Sequence, residues 1–242
     1  MPNHVYNTIT IDDVNDKNLK ILMDIYKIGF CRYFMARPEI LQNYGSPLKV
    51  VSEKEYQEAI KEREESIKEG NKYLPGLPIT EKLQKEFLEK YEATNWYDWS
   101  CKHWGTKWGA YEGQLDDDTY SFSSAWSPPN IELFRMFSKI IPNFCYTFVE
   151  ETGWGGEIIY KNGEISYQHT FDSPEWDEPI EIEEDDNFKP PYTQELTYLI
   201  KDHKNLEGEY KKGYYLNYNL EIYFGLNKEE AIEKIKKTFK DE

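Results

Sequence analysis

The sequence predicts an α+β protein with a β-α-β-β-α-β core. Three observations lead to this prediction. Segments rich in β-branched side chains are separated by segments in which apolar side chains have helical spacing. A block of helical patterns interrupts this order early, and Asn162-Gly163, a strong hairpin signal, joins two strand-like segments near its end. The length of 242 residues and the aromatic content of 16% are sufficient for a buried core.

The first strand and the first helix are distinguished by a change of hydrophobic period. Residues 4–12 carry β-branched side chains, which predict a strand. Residues 16–29 repeat apolar side chains at intervals of three and four, which predict a helix that ends at Gly29. Residues 30–48 contain two prolines and a glycine, and we expect them to be irregular.

A helical insertion at about 49–104 separates this first part from the rest of the core. Ser52 and Glu55 have the spacing of a capping box, which predicts the start of a helix. Two further helices are predicted at 80–92 and 95–104 from their apolar spacing.

The core pattern resumes after the insertion. The remaining predicted elements are a strand at 106–112, a turn at 113–118, a strand at 119–126, a helix from Ser127-Pro128-Pro129 to Pro142 and a strand at 144–150. Strands at 155–161 and 164–171 form the added β-hairpin. Without the insertion, the order β-α-β-β-α-β is that of the ferredoxin-like fold.

The chain is predicted to have three parts. Residues 1–171 form the ferredoxin-like domain with its insertion, residues 172–191 form an acidic linker or edge, and residues 192–242 form a C-terminal α/β extension. The extension is predicted as a helix at about 193–204, a strand at about 213–224 and a helix at 228–240. Because about 50 residues rarely fold alone, we expect the extension to pack on the core.

Acidic residues are concentrated in one segment. The net charge is −16, and residues 150–186 contain thirteen acidic residues against one lysine. The segment 172–186 is either a solvated loop or a surface that attracts a basic partner by long-range electrostatics. The candidate partner-binding residues are Trp176, Glu181, Glu183, Glu184, Asp185 and Asp186.

Composition also limits the cellular setting that we expect. No apolar run approaches the roughly 18 residues of a membrane-spanning helix, so no membrane partner is predicted. The first residues lack the basic and apolar regions of a signal peptide. The three cysteines lie far apart and are expected to be reduced thiols, so we expect a cytoplasmic protein.

Short aromatic and glycine-containing motifs occur at 1–7, 95–99, 103–108 with Trp-Gly-Thr-Lys-Trp, 122–129 with Ala-Trp-Ser-Pro-Pro, and 150–156. In this order they resemble the YubB-type family, the Api-like proteins that plasmids and phages encode. The resemblance covers patches of 1–171. It implies a ferredoxin-like fold and a place on mobile genetic elements. It implies no catalytic residue, so no site is carried over from the family.

The tryptophans at 96, 99, 104, 108 and 126 have two interpretations. They fill the core between a helix and the sheet, or some of them form a stacking platform for single-stranded nucleic acid. The residues of the second interpretation are Trp104, Lys107, Trp108 and Trp126. The net charge disfavours nucleic acid, because phosphate binding requires clustered lysine and arginine.

Catalytic and metal-binding patterns are weak. Cys101 and His103 lack the further ligands of a zinc site, and no serine lies in a G-x-S-x-G elbow. The glycines at 153–156 lack the lysine of a phosphate-binding loop. The acids at 116–118 and 150–151 are ordinary solvated carboxylates or a weak cation site. We therefore predict no catalytic residue, no metal and no cofactor.

The function that we expect is binding, without catalysis. The leading hypothesis is a phage or plasmid accessory protein that binds a host protein with a basic surface, such as an acidic inhibitor of a host-defence or DNA-binding protein. One alternative is a single-stranded nucleic-acid-binding module in DNA entry or replication. A second alternative is a small-nucleotide-binding protein or an enzyme. The sequence leaves the partner's identity and the oligomeric state open.

Overall fold

The computed structural model divides the chain into two compact units. It describes residues 3–182, 195–200, 203–204, 210–216, 221–224 and 226–238. The first unit comprises Met1–Glu151 and Glu157–Gln168, and the second comprises Thr152–Gly156 and His169–Glu242. The predicted packing of the C-terminal extension on the core stays a prediction.

Six strands form one sheet in the order β2-β3-β1-β4-β5-β6. These strands are β1 (His4–Ile11), β2 (Tyr111–Asp116), β3 (Thr119–Ala125), β4 (Phe144–Glu150), β5 (Gly155–Lys161) and β6 (Glu164–Phe171). The helices of the first unit are α1 (Asp16–Ile28), α2 (Phe30–Phe34), α3 (Glu53–Lys68), α4 (Glu81–Tyr91), α5 (Trp96–His103) and α6 (Ile131–Ser138). A short 3-10 helix at Glu39–Asn43 precedes α3.

The strand pairing is that of a ferredoxin-like core. β1 pairs antiparallel with β3 on one side and with β4 on the other, and β2 pairs antiparallel with β3. The predicted α+β fold is therefore confirmed, with its helical insertion between α1 and β2 and its hairpin of β5 and β6 beside β4.

One face of this sheet forms an aromatic core with the helices. Phe30 of α2 lies 5.5 Å from Phe122 of β3 and 4.8 Å from Phe134 of α6, measured between ring centroids. Phe134 in turn stacks on Tyr146 of β4 at 3.9 Å. Burial of these rings removes large apolar areas from water and adds ring–ring contacts, which stabilises the packing of helices on sheet.

A polar side chain lies at the centre of this core. Asn7 of β1 is 1% exposed, and its amide oxygen accepts a hydrogen bond of 2.7 Å from the Tyr146 hydroxyl. Its amide nitrogen donates to the Ser124 hydroxyl at 2.9 Å, and that hydroxyl donates to the Ser127 carbonyl at 2.8 Å. Buried polar groups are stable only when they are paired, so this network fixes β1, β3 and β4 relative to each other.

Two element boundaries in the first unit differ from the predictions. The predicted strand at 106–112 is a loop up to residue 110, and β2 continues through most of the predicted turn, so that the turn itself is only Asp117-Asp118. Residues 30–48, predicted to be irregular, contain α2 and the 3-10 helix. Gly29 has a φ of +89° and bends the chain, so a second short helix follows α1 directly.

The second unit contains a separate small sheet. Its four strands run in the order β12-β11-β8-β7, and they are β7 (Ile180–Glu181), β8 (Glu195–Tyr198), β11 (Gly213–Leu216) and β12 (Glu221–Phe224). Two short strands, β9 (His203–Lys204) and β10 (Tyr210–Lys211), pair with each other. Helix α7 (Lys228–Thr238) buries Ala231 and Ile235 in a cluster with Ile182 and Leu196.

The extension is richer in strands than predicted. The predicted helix at about 193–204 is wrong where the structure describes the chain, because Glu195–Tyr198 forms β8. Its leucines have helical spacing, but Leu196 pairs with β11 and β7, and such cross-strand contacts override local preference. The predicted single strand at 213–224 is two antiparallel strands. The final helix is confirmed.

Replacement of Asn7 tests the buried network. Asn7→Leu should lower the free energy of unfolding by about 2–4 kcal/mol, because the Tyr146 hydroxyl loses its acceptor inside the core. Tyr146→Phe in the same chain removes the orphaned hydroxyl, so the double variant should be no less stable than Asn7→Leu alone. Urea denaturation of Asn7→Leu, Tyr146→Phe and the double variant measures this. Additive losses would mean that the two side chains are not coupled.

Candidate binding surfaces

The loop at 105–109 connects α5 to β2 and is shaped by two glycines. Gly105 has a φ of +75° and Gly109 a φ of +76°. A Cβ atom at Gly105 would lie 2.9 Å from the backbone nitrogen of Asn130, which donates to the Trp104 carbonyl at 2.7 Å. The Ser127 hydroxyl donates to the Gly105 carbonyl. This loop is therefore attached to the start of α6.

The side chain of Thr106 replaces a strand partner within this loop. Its hydroxyl donates to the Ala125 carbonyl at 2.9 Å and accepts from the Ala125 nitrogen at 3.0 Å. Trp126, which follows Ala125 in the chain, has a φ of +70°, which is rare for a bulky side chain. Its backbone nitrogen donates to the Asn3 carbonyl at 2.9 Å. These bonds hold Trp126 beside the loop in an otherwise unfavourable conformation.

Three aromatic rings surround the ammonium group of Lys107. The Nζ atom lies 4.7 Å from the ring centroid of Trp126, 4.9 Å from that of Trp108 and 6.0 Å from that of Tyr97. We call these three rings the ring cluster. Trp108 is 40% exposed and Trp126 is 44% exposed, so the ring cluster is open to solvent. Contacts of this kind are cation–π interactions.

The aromatic surface continues from the ring cluster onto the sheet. Trp108 contacts Tyr111 of β2 at 5.7 Å, and the Tyr111 hydroxyl lies 2.8 Å from Nδ1 of His4. Burial raises the pKa of Tyr111 to about 12, and the carboxylates of Glu112 and Glu151 act in the same direction. Tyr111 is therefore a neutral hydrogen-bonding phenol at physiological pH.

Trp104 does not belong to this exposed surface. Its side chain is fully buried, its indole nitrogen donates to the Met35 carbonyl at 2.9 Å, and Trp99 packs edge-on against it at 5.3 Å. The Arg37 guanidinium lies 5.2 Å from the Trp104 ring. The structure thus divides the predicted tryptophans, since Trp99 and Trp104 are core residues whereas Trp108 and Trp126 are exposed.

Tyr97 is the member of the ring cluster that sequence reasoning did not select. It lies on α5, whose first turn is capped by the Asn95 side chain through hydrogen bonds to the backbone nitrogens of Tyr97 and Asp98. The Cys101 thiol, partial burial and the Asp98 carboxylate raise the pKa of Tyr97. Trp96 and Tyr97 are adjacent aromatic residues on the same helix. The sequence does not show which of them lies near Lys107, because that depends on the orientation of α5.

The acidic segment is described up to Ile182, and its structure is partly ordered by backbone pairing. Trp176 forms an antiparallel bridge with Leu199, and the Asp177 nitrogen donates to the Tyr198 carbonyl at 2.8 Å. Glu181 lies exposed in β7, whereas Ile182 is 5% exposed in the core of the second unit. The predicted partner-binding residues Glu183, Glu184, Asp185 and Asp186 lie outside the described residues.

The described part of the acidic segment exposes both apolar and acidic side chains. Trp176 is 37% exposed and Ile180 is 40% exposed. Asp172, Asp177, Glu178 and Glu181 are also exposed, and within the described ranges none of these four carboxylates forms an ion pair. We call these six residues the acidic edge. It combines two apolar side chains with four carboxylates that have no ion-pair partner among the described residues.

The cysteine and histidine side chains are the residues considered for catalysis or metal binding. Burial raises the pKa of Cys31 to about 12, and burial with the Glu157 carboxylate raises that of Cys145 to about 11, so both thiols are protonated at neutral pH. The His103 ring contacts the Trp99 ring in a tilted arrangement, with 4.5 Å between the ring centroids. Among the described residues, no three histidine, cysteine or carboxylate side chains are grouped as metal ligands.

In the part of the chain that the structure describes, no helix combines the length and the apolar character needed to span a bilayer.

Two glycine replacements test the attachment of the 105–109 loop. Gly70 and Gly105 both have positive φ, but a Cβ atom at Gly70 meets no atom within 4 Å. Gly70→Ala should therefore lower the free energy of unfolding by about 1 kcal/mol, the conformational cost alone. Gly105→Ala should cost at least about twice as much, because its Cβ clashes with the Asn130 backbone. Equal losses in urea denaturation would contradict this account of the loop.

Comparison with known proteins gives one distant structural likeness. No family model and no curated protein matches the chain. Among solved structures, the chain is similar to protein api92 from Yersinia pseudotuberculosis, described by the family model DUF1281. The match has 11% sequence identity and a TM-score of 0.37, and it covers 71% of this chain and 99% of the other. The printed name of this neighbour is of the Api type.

Proposed function

We propose that the protein is a binding module that recognises a partner with a basic surface, and that the acidic edge is the contact. The observation that carries this proposal is the exposure of Trp176 and Ile180 in a segment with four exposed carboxylates, none of which lies within 4.0 Å of a described lysine or arginine nitrogen. Exposed tryptophans contribute strongly to protein interfaces, and clustered carboxylates accelerate encounter with cationic surfaces.

The backbone of this region suits the same role. Among the described strands, β7 lies at the end of the order β12-β11-β8-β7, and its residues line a pocket together with Lys228 and Ile232 of helix α7. The backbone of a terminal strand can pair with an extended segment of a partner. In β7 the exposed Ile180 and Glu181 would then contribute one apolar and one charged contact.

The proposed partner is a host macromolecule. The motifs that resemble plasmid- and phage-encoded proteins favour a host macromolecule in the cytoplasm, and a DNA-binding or defence protein has the basic surface that the acidic edge requires. In this account the protein is an accessory of a mobile element that occupies such a surface.

Neutralisation of the acidic edge tests the proposal. We would replace Asp172 and Asp177 by Asn, and Glu178 and Glu181 by Gln, and compare capture of bacterial proteins at low and high salt. The variant should lose at least about tenfold in affinity for a captured basic protein, since each exposed charge contributes to steering and to rim contacts. Wild-type binding should itself weaken in high salt.

A matched control separates a local effect from that of total charge. Glu62, Glu64, Glu65 and Glu86 are exposed on α3 and α4 and form no ion pair among the described residues, so their replacement by Gln changes the charge equally. The control should bind as the wild type does. Equal weakening of both variants would contradict the acidic edge as the contact. Unchanged binding by the variant with the neutralised acidic edge would contradict it as well.

A second candidate function is supported by the exposure of Trp108 and Trp126 beside Lys107. Exposed aromatic faces next to a cation can stack on the bases of single-stranded nucleic acid. If so, an oligothymidylate should quench tryptophan fluorescence at low salt, and Lys107→Ala should weaken the binding. No quenching at micromolar concentrations of the oligonucleotide would reject this candidate.

A further inference from the structure

The ring cluster has the geometry of a binding site for an organic cation. Its three rings come from separate places in the chain, since Tyr97 lies on α5, Trp108 in the 105–109 loop and Trp126 after β3. All three lie within about 6 Å of one point, the distance at which an aromatic face attracts a positive charge. In the structure that point is occupied by the Lys107 ammonium.

The contacts recorded for the Lys107 ammonium among the described residues are those with the three rings. Within the described residues, no carboxylate lies within 4.0 Å of its Nζ atom. A lysine ammonium carries three N–H donors, and the aromatic faces do not satisfy them as oxygen acceptors would. A quaternary ammonium group carries no N–H donor, so the same rings match it better than they match lysine.

The ring cluster is also held in position before any ligand binds. Trp126 has a φ of +70° and is fixed by hydrogen bonds on both sides, through its own nitrogen to Asn3 and through Ser127 to Gly105. Backbone strain in a bulky residue indicates that its position is imposed by the surrounding structure, and such strain is concentrated at binding and catalytic sites. A rigid site loses little freedom on binding.

We propose that Tyr97, Trp108 and Trp126 form a cage for a quaternary ammonium group, and that Lys107 occupies this cage in the unliganded protein. The ligand displaces the Lys107 side chain, whose ammonium moves into solvent. This inference is independent of the proposed function, because it concerns the first unit and its test requires no protein partner.

Lys107→Ala removes the internal competitor and opens the cage. We would titrate wild-type protein and Lys107→Ala with choline and follow tryptophan fluorescence. The variant should bind choline about tenfold more tightly than the wild type, because choline no longer has to displace the Lys107 ammonium from the three rings. Neohexyl alcohol, the uncharged carbon analogue of choline, should bind much more weakly to the variant.

Two further variants separate the cage from a general effect on fluorescence. Trp108→Leu in the Lys107→Ala chain removes one wall and should abolish the gain. Trp176→Leu in the same chain removes an exposed tryptophan of the second unit and should preserve the gain. Thermal unfolding checks that each variant is folded. Choline binding no tighter in Lys107→Ala than in the wild type would overturn the proposal, as would equal binding of neohexyl alcohol.

The source of the ammonium group is decided by a second pair of ligands. One ligand is a short peptide that contains trimethyl-lysine, and the other is free phosphocholine. Both carry a trimethylammonium group, the first as part of a modified protein and the second as a small molecule. Tighter binding of the peptide assigns the cage to a modified protein, and tighter binding of phosphocholine assigns it to a free or lipid-derived ligand. Lys107→Ala also distinguishes nucleic acid, because loss of the lysine should weaken oligothymidylate binding while it strengthens choline binding.

Discussion

The buried side-chain amide of Asn7 joins three strands and is connected to the loop that carries Lys107. From Tyr146 the hydrogen bonds pass through Asn7 to Ser124 and then to the Ser127 carbonyl, and the Ser127 hydroxyl continues to the Gly105 carbonyl. Because each buried group must keep its partner, the sheet, the start of α6 and the 105–109 loop have one mutual arrangement. The position of the ring cluster is a consequence of this arrangement.

The two candidate surfaces have a shared chemistry, although they lie in different units. The ring cluster offers the electron-rich faces of aromatic rings, and the acidic edge offers carboxylates around an exposed tryptophan. Both kinds of group favour cationic ligands. In a chain with a net charge of −16, this preference is consistent with a protein whose ligands are positively charged.

Sequence patterns correctly predicted the elements that are determined by their own side chains. They gave wrong predictions where contacts with distant parts of the chain determine the structure. The capping box of Ser52 and the Asn162-Gly163 turn act locally, so α3 and the hairpin were found. Trp104 and Trp108 are four residues apart in one motif, yet only the positive φ values of Gly105 and Gly109 place one in the core and the other at the surface. β8 was missed because its pairing with β11 and β7 overrides a helix-like spacing.

The central claim is that the buried network places the Lys107 ammonium among the three rings. The most direct measurement is the chemical shift of the Lys107 ε-methylene protons in a lysine-labelled sample, assigned with Lys107→Arg. Ring currents should shift this one lysine signal upfield of the other lysines, and Ser124→Ala, which removes a link of the network, should reduce the shift. A Lys107 signal indistinguishable from those of the solvent-exposed lysines in the wild-type protein would contradict the account.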